Sequence, residues 1–271
     1  MDILELIKKR RSVRTFDGVS LSSEDANKIM RFAEEVENPY NLPIQWTLLD
    51  AKAHHLSSPV IVGTDIYIAG KMHRSLHAEE AFGYSFERIV LFAESLGVGT
   101  TWIAGTMDRT AFEKAVSLKD DEVLPCVSPL GYPSKKMSLR EGMMRKGIKA
   151  DTRKEFGELI FDSCYGCPLT KEEAGRLAKP LEAVLLAPSA VNKQPWRIVV
   201  CGDAVHFYAK HGRGYSSENG WDIQKIDLGI ALCHFELAAK ACGLQISFTI
   251  DEPKLLSPPE DAEYVATFAV E

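Results

Sequence analysis

Three arginines, Arg10, Arg11 and Arg14, surround Ser12 near the start of the chain. Guanidiniums this close repel one another unless an anion compensates them, and each presents a fork of donors matched to phosphate oxygens. Ser12 adds a hydroxyl donor. A helix over residues 2–13 would put 10 and 14 on one face, with 11 turned about 100° away. Cations are also favourable at any helix C-terminus, so a phosphate site and an ordinary surface helix end both account for the cluster. A second stretch runs Ala187-Pro188-Ser189-Ala190-Val191-Asn192-Lys193-Gln194-Pro195-Trp196. Its proline stops a helix, its small residues let a planar ligand approach the backbone, and its Trp opens a strand. A helix stop followed by a strand start explains the same residues without a ligand. The third stretch, Gly97-Val98-Gly99-Thr100-Thr101-Trp102-Ile103-Ala104-Gly105, reads as a glycine-terminated helix followed by a buried strand.

Other reactive residues carry less. The six cysteines read as reduced thiols, with Cys233 and Cys242 as small core residues and Cys164-Tyr165-Gly166-Cys167 as two thiols near a turn before Pro168. A zinc site would need a second ligand pair, and no matching spacing exists. His73 and His77 are predicted to share a helical face near Glu80, solvated and without a metal.

Elements must position these groups. Ser22 or Ser23 caps a helix with Ile29, Met30, Phe32 and Ala33 on its buried face. Strands are predicted at 44–49, 60–69, 100–103 and 124–130, and a strongly apolar helix at 81–96. After a basic linker over 134–154, the order repeats. Thr170 caps a helix towards Ala187 with a break at Pro180. Strands follow at 196–201 and 204–208, then a helix at 227–242, then strands at 244–250 and 264–270. Trp46 and Trp196, and likewise Gly97 and Gly243, stand about 150 residues apart, which indicates an internal duplication. The halves are then 1–133 and 155–271.

Composition sets wide bounds. The 271 residues are 45% hydrophobic and 26% charged, ordinary for a globular chain with a sizeable core. A net charge of −6 gives no support to nucleic-acid binding. No stretch reaches the roughly 18 apolar residues of a membrane span, and the charged first residues lack the apolar core of a signal peptide, so a cytoplasmic location is expected.

Arg10-Arg11-Ser12-Val13-Arg14-Thr15-Phe16, the Pro-Ser stretch and the Gly-rich stretch together resemble the FMN-dependent nitroreductases, most closely their fused TM nitroreductase subgroup. The resemblance implies an α+β fold of antiparallel-dominated sheets flanked by helices, as two fused half-repeats forming an intrachain pseudo-dimer. It implies that Arg10 and Ser12 hold the FMN phosphate beside Arg11, and that Arg14 reaches the ribityl chain or pyrimidine edge. Arg153, after Gly131-Tyr132-Pro133, would make a further phosphate contact. Pro188, Ser189, Ala190 and Asn192 would pack on the isoalloxazine ring, and backbone at Ala104 and Gly105 would face N5. The first half's counterpart of the Pro-Ser stretch, Asn38-Pro39-Tyr40-Asn41-Leu42-Pro43, lacks the small residues. The second half's counterpart of the Arg motif, near Phe161-Asp162-Ser163-Cys164, has no Arg. One FMN between the halves is therefore expected, reduced by NAD(P)H and oxidised by a nitroaromatic, quinone or similar acceptor. The expected protein is a monomeric pseudo-dimer, with further self-association open. A flavin-binding protein without turnover, a cofactor-free descendant and a Cys-x-x-Cys redox protein are the rival readings.

Overall fold

The computed structural model describes residues 2–212, 220–255 and 261–271. The chain divides into two units, Lys9–Ala150, and Met1–Lys8 with Asp151–Glu271. Helix α1, Ile3–Lys9, stops four residues short of its predicted end. Residues 10–16 are extended instead, because Ser12 bridges Thr100 and Thr15 bridges Val62, both in parallel. Tertiary pairing has overridden local helix preference.

The unit Lys9–Ala150 continues with α2, Ser23–Glu35, capped by Ser22. Then come β1, Gln45–Asp50, α3, Ala51–His54, and β2, Ile66–His73. Residues 60–65 form no regular strand, so β2 starts six residues later than predicted and takes in His73. His77 is the N-terminal cap of α4, Ala78–Ser95, so the two histidines do not share a helix. His73 meets Asp121 at 3.0 Å instead. After α5, Arg109–Ala115, β3, Glu122–Val123, and β4, Val127–Leu130, the expected linker contains a helix, α6, Leu139–Gly147. Ser138 caps it through the Glu141 N–H.

In the other unit, α7 is Phe156–Leu159, β5 Ile160–Asp162 and α8 Lys171–Ala174. The predicted break falls before Pro180, in a 3-10 turn at Gly175–Leu177 where Gly175 adopts φ 51°. Pro180 itself lies in the first turn of α9, Ala178–Leu185, where its missing N–H has no intrahelical acceptor to lose. Then follow β6, Trp196–Cys201, β7, Ala204–Ala209, α10, Ile223–Ala241, β8, Ile246–Thr249, and β9, Glu263–Val270. Cys164 and Cys167 are joined in a disulfide, contrary to the expected reduced pair. Left-handed Ser163 and Gly166 fold the turn so that the two Cα atoms stand 5.7 Å apart, inside the range a disulfide spans. Cys126, Cys201, Cys233 and Cys242 remain thiols.

The two units repeat one topology. In the first, β1, β2 and β4 pair antiparallel in that order, Ile103 bridges Val127 of β4 and Gly99 bridges Gly131 just past its end. In the second, β6, β7, β9 and β8 pair antiparallel in the same arrangement, with β5 added parallel to β6. In each, a long helix, α4 or α10, runs between the second and third of these segments. Both helices are apolar on most sides and buried along most of their length. Phe82 and Phe86 of α4 meet Trp46 of β1 with ring centroids 5.5 and 5.1 Å apart. The expected α+β architecture of two half-repeats is what the chain forms.

Candidate functional site

The arginine motif lies on extended backbone, so its side chains follow strand alternation rather than a helical period. Val13 is buried and donates its N–H to Thr100 O at 2.8 Å, fixing the segment to the stretch after α4. Arg10 stands 3.5 Å from Glu87 of α4, a carboxylate with no exposure that also accepts from Trp102 Nε1 at 3.0 Å. Arg11 reaches Glu141 at 3.4 Å. That carboxylate is brought in by α6, whose cap Ser138 is hydrogen-bonded to Thr15 at 3.1 Å. The same helix carries Arg145, whose Nη1 donates to the Ser12 carbonyl at 3.5 Å. Burial lowers the Arg14 pKa, with Glu141 opposing and Arg145 adding to the effect.

Around Ser12, Arg10 thus stands by Glu87 and Arg11 by Glu141, while Glu141 attracts Arg14 and Arg145 repels it. Among the described residues, Arg14 Nη1 and Arg10 Nε are buried without a hydrogen-bond acceptor. A buried donor left unmade costs about 1–3 kcal/mol, and more when charged. The residues present therefore fit an anionic group such as a phosphate, which would supply both missing acceptors and missing charge. Arg145 and Glu141 escaped the sequence reading because their helix was taken for a linker. The spacing Ser138-x-x-Glu141, that of a capping box, was the signal that marks its start.

Ala104 and Gly105 follow Ile103, which bridges Val127. Arg109 clamps this bend by donating to the carbonyls of Ala104 at 2.9 Å and Leu124 at 2.6 Å. Gly105 is exposed, with open space where a Cβ would stand.

The other unit holds the Pro-Ser segment and, with it, Arg153. Pro188 follows the end of α9, and Ser189 is extended. Val191, Asn192 and Gln194 then all take left-handed backbone, at φ 44°, 57° and 51°. Such residues cost on the order of 1–3 kcal/mol each, and a β-branched Val there is an outlier. Surrounding bonds hold the shape. Gln194 N donates to Ser189 Oγ at 2.9 Å, Asn192 Nδ2 to Thr152 O at 3.0 Å, and Lys154 N to Gln194 Oε1 at 3.0 Å. Ala190 N donates to Asp227 of α10. Arg153, expected at the phosphate, belongs to this unit and donates to Asn192 Oδ1 at 3.4 Å. Within the first unit the structure groups Arg10, Arg11, Ser12 and Arg14 with Arg145, and within the second it groups Ser189, Ala190 and Asn192 with Arg153. Among the described residues no helix is long and apolar enough to cross a membrane, and no His, Cys, Asp and Glu cluster is arranged to hold a metal.

Comparison with solved structures finds a "putative nitroreductase" from Thermotoga maritima, 22% identical, with a TM-score of 0.63 over 100% of this chain and 93% of that one. An FMN-dependent nitroreductase from Clostridium difficile is 18% identical, covering 49% of this chain and 88% of its own, with a TM-score of 0.43. No curated protein matches the chain. The family model described as "Putative TM nitroreductase" matches residues 2–239, and the chain belongs to that family.

Proposed function

We propose that the protein is an FMN-dependent oxidoreductase of nitroreductase type, passing electrons from NAD(P)H to a nitroaromatic, quinone or similar small acceptor. The observation that carries this reading is the arginine cluster at Ser12, where Arg14 Nη1 and Arg10 Nε are buried without an acceptor among the described residues. One FMN per chain would draw on both halves. Its phosphate would take donors from Arg10, Ser12 and Arg14, with Arg145, which reaches the Ser12 carbonyl, as a further cation beside them. Its ring would lie on residues 188–192, with the backbone of Ala104 and Gly105 towards N5.

When bound, FMN supplies the hydride chemistry, and the protein contributes position and electrostatics. Arg10 and Arg11 are oriented by Glu87 and Glu141, so their donors are preorganised before the nucleotide arrives. Hydride passage itself needs no side-chain acid or base, and none is assigned. Arg153 braces Asn192 and so shapes the ring-contacting turn.

Titration of the purified chain with FMN, followed by flavin absorbance and fluorescence, tests the reading. Saturation at one FMN per chain and steady NAD(P)H oxidation by the loaded protein are expected. Arg14→Ala should weaken binding by about 1.5–3 kcal/mol, the worth of a charge-assisted phosphate bond. The same change should leave the flavin-free protein as stable as before, because it removes an unsatisfied buried donor. Wild-type affinity in Arg14→Ala would take that residue out of the site, and a chain that never binds FMN would end the proposal.

A further inference from the structure

We propose that Asp227 is a positioning residue, holding the Ala190 N–H from within α10 so that residues 190–194 keep the shape that meets the flavin ring. The inference rests on the flavin reading above and deepens it. Both Asp227 oxygens accept from Ala190 N, at 3.0 and 3.1 Å. The residue is 3% exposed, and among the described residues no cation pairs with it. Burying a carboxyl without a counter-ion is costly, and an apolar side chain would sit in the helix more readily. Burial pushes its pKa well above the ordinary carboxylate range, with the Ala190 N–H opposing and Asp222 adding to the rise, so the neutral acid is favoured.

The bond falls where it has most leverage. Ala190 is the last residue before the left-handed run of Val191 and Asn192, and relaxed backbone there would abandon those angles. Ser189, Thr152 and Lys154 hold the run from neighbouring segments, whereas Asp227 ties it to the long buried helix. Fixing a turn to a rigid element is what a preorganised ligand contact requires.

The test uses the full chain with FMN as probe and three readouts. These are the FMN dissociation constant, the shape of the bound flavin's visible bands, and circular dichroism to verify folding without FMN. Asp227→Ala should raise the dissociation constant about tenfold or more and move the bound bands towards those of free FMN. Asp227→Asn keeps an uncharged acceptor at the same place and should stay within about twofold of wild type. Arg14→Ala, acting at the phosphate, should weaken binding without changing the band shape. Should Asp227→Ala fail to fold, Ala190→Pro deletes the donor instead and should give the same loss. Wild-type affinity and bands in folded Asp227→Ala, or an equal loss in Asp227→Asn, would overturn the role. If the wild-type chain binds no FMN, the flavin reading fails and this role with it. Deuterium exchange at the Ala190 amide then shows whether Asp227 still fixes the turn, since Asp227→Ala would speed exchange there and Asp227→Asn would not.

Discussion

The two units share a topology but spend their turns differently. In the first, the turn before β1 is closed by Asn38, whose side chain accepts from the Tyr40 and Leu42 N–H groups and donates to Leu42 O and to Ser85 Oγ of α4. Its left-handed residue, Asn41 at φ 54°, is of a type that tolerates that backbone. In the second, the turn before β6 forces Val191, Asn192 and Gln194 into the same region and needs Asp227, Ser189, Thr152 and Lys154 to hold them. The left-handed backbone of the second turn therefore rests on more of its surroundings than that of the first. The cations are divided in the opposite sense. The first unit has the arginine motif, and the matching place in the second, near Asp162 and Ser163, is occupied by a disulfide turn.

The long helices differ in what they bury. Helix α4 buries an ion pair, Glu87 against Arg10, while α10 buries a hydrogen bond to a backbone carbonyl, His234 Nδ1 donating to Ala183 O at 2.9 Å. Removing one partner of a buried ion pair costs about 3–5 kcal/mol, because the other charge is left behind. Removing a hydrogen-bond partner from a buried carbonyl costs about 1–3 kcal/mol. Urea unfolding of Glu87→Ala should therefore show the larger loss, and His234→Ala the smaller. Equal losses would mean that the Arg10 and Glu87 pair is not buried as an ion pair.

A subtler difference lies across the sheets. Trp46 of β1 faces Gly70 of β2, and Trp196 of β6 faces Ala209 of β7. At Gly70 a Cβ would come within 2.2 Å of Trp46 Cζ3 and 2.8 Å of Phe82 Cε2, so the indole occupies the space a methyl would need. Gly70→Ala should cost about 1–3 kcal/mol by overpacking. Ala209→Gly should cost less, roughly 0.5–1 kcal/mol, from strand backbone entropy. Thermal unfolding of both variants checks the order, and a neutral Gly70→Ala would show that the first sheet is loose enough to absorb the methyl.

Much of this asymmetry was legible in the residues. The paired Trp and Gly landmarks disclosed the duplication, and strong apolar periodicity placed α4, α10, β6 and β7 within a few residues of their observed ends. What failed were segments whose conformation is set by distant partners. Residues 10–14 look helical until Thr100 and Val62 pair with their neighbours. Basic residues 139–147 look like a solvated linker, yet their helix is tied to Thr15 and turns Glu141 into the core. Arg145 was missed for that reason, and Asp227 because an isolated acid in an apolar helix carries no local sign of the N–H it receives. The left-handed run at 191–194 was equally silent, since Val191 and Gln194 are poor choices for such backbone.

Glu122 and Asp227, one acid from each unit, should also answer pH with opposite sign. In the first unit, Glu122 is held below its ordinary pKa, first by the Lys71 ammonium and also by the Lys119 N–H. Its unfolded form therefore takes up protons first, and its contribution to stability is present above about pH 4.5 and lost as pH falls through the folded value. Asp227 behaves in reverse. Its folded pKa lies well above 3.8, so over the range between the unfolded and folded values the native chain keeps a proton that the unfolded chain has released. Stability from this group then falls as pH rises, by up to about 1.4 kcal/mol per pH unit. Many carboxylates contribute to the total profile, so the informative quantity is the difference between wild type and Asp227→Asn. That variant is permanently neutral and should match wild type near pH 4, then become the more stable of the two as pH rises towards 7. A difference that stays flat over that range would mean that Asp227 ionises normally in the folded chain, and that water or a cation reaches the base of the strained turn.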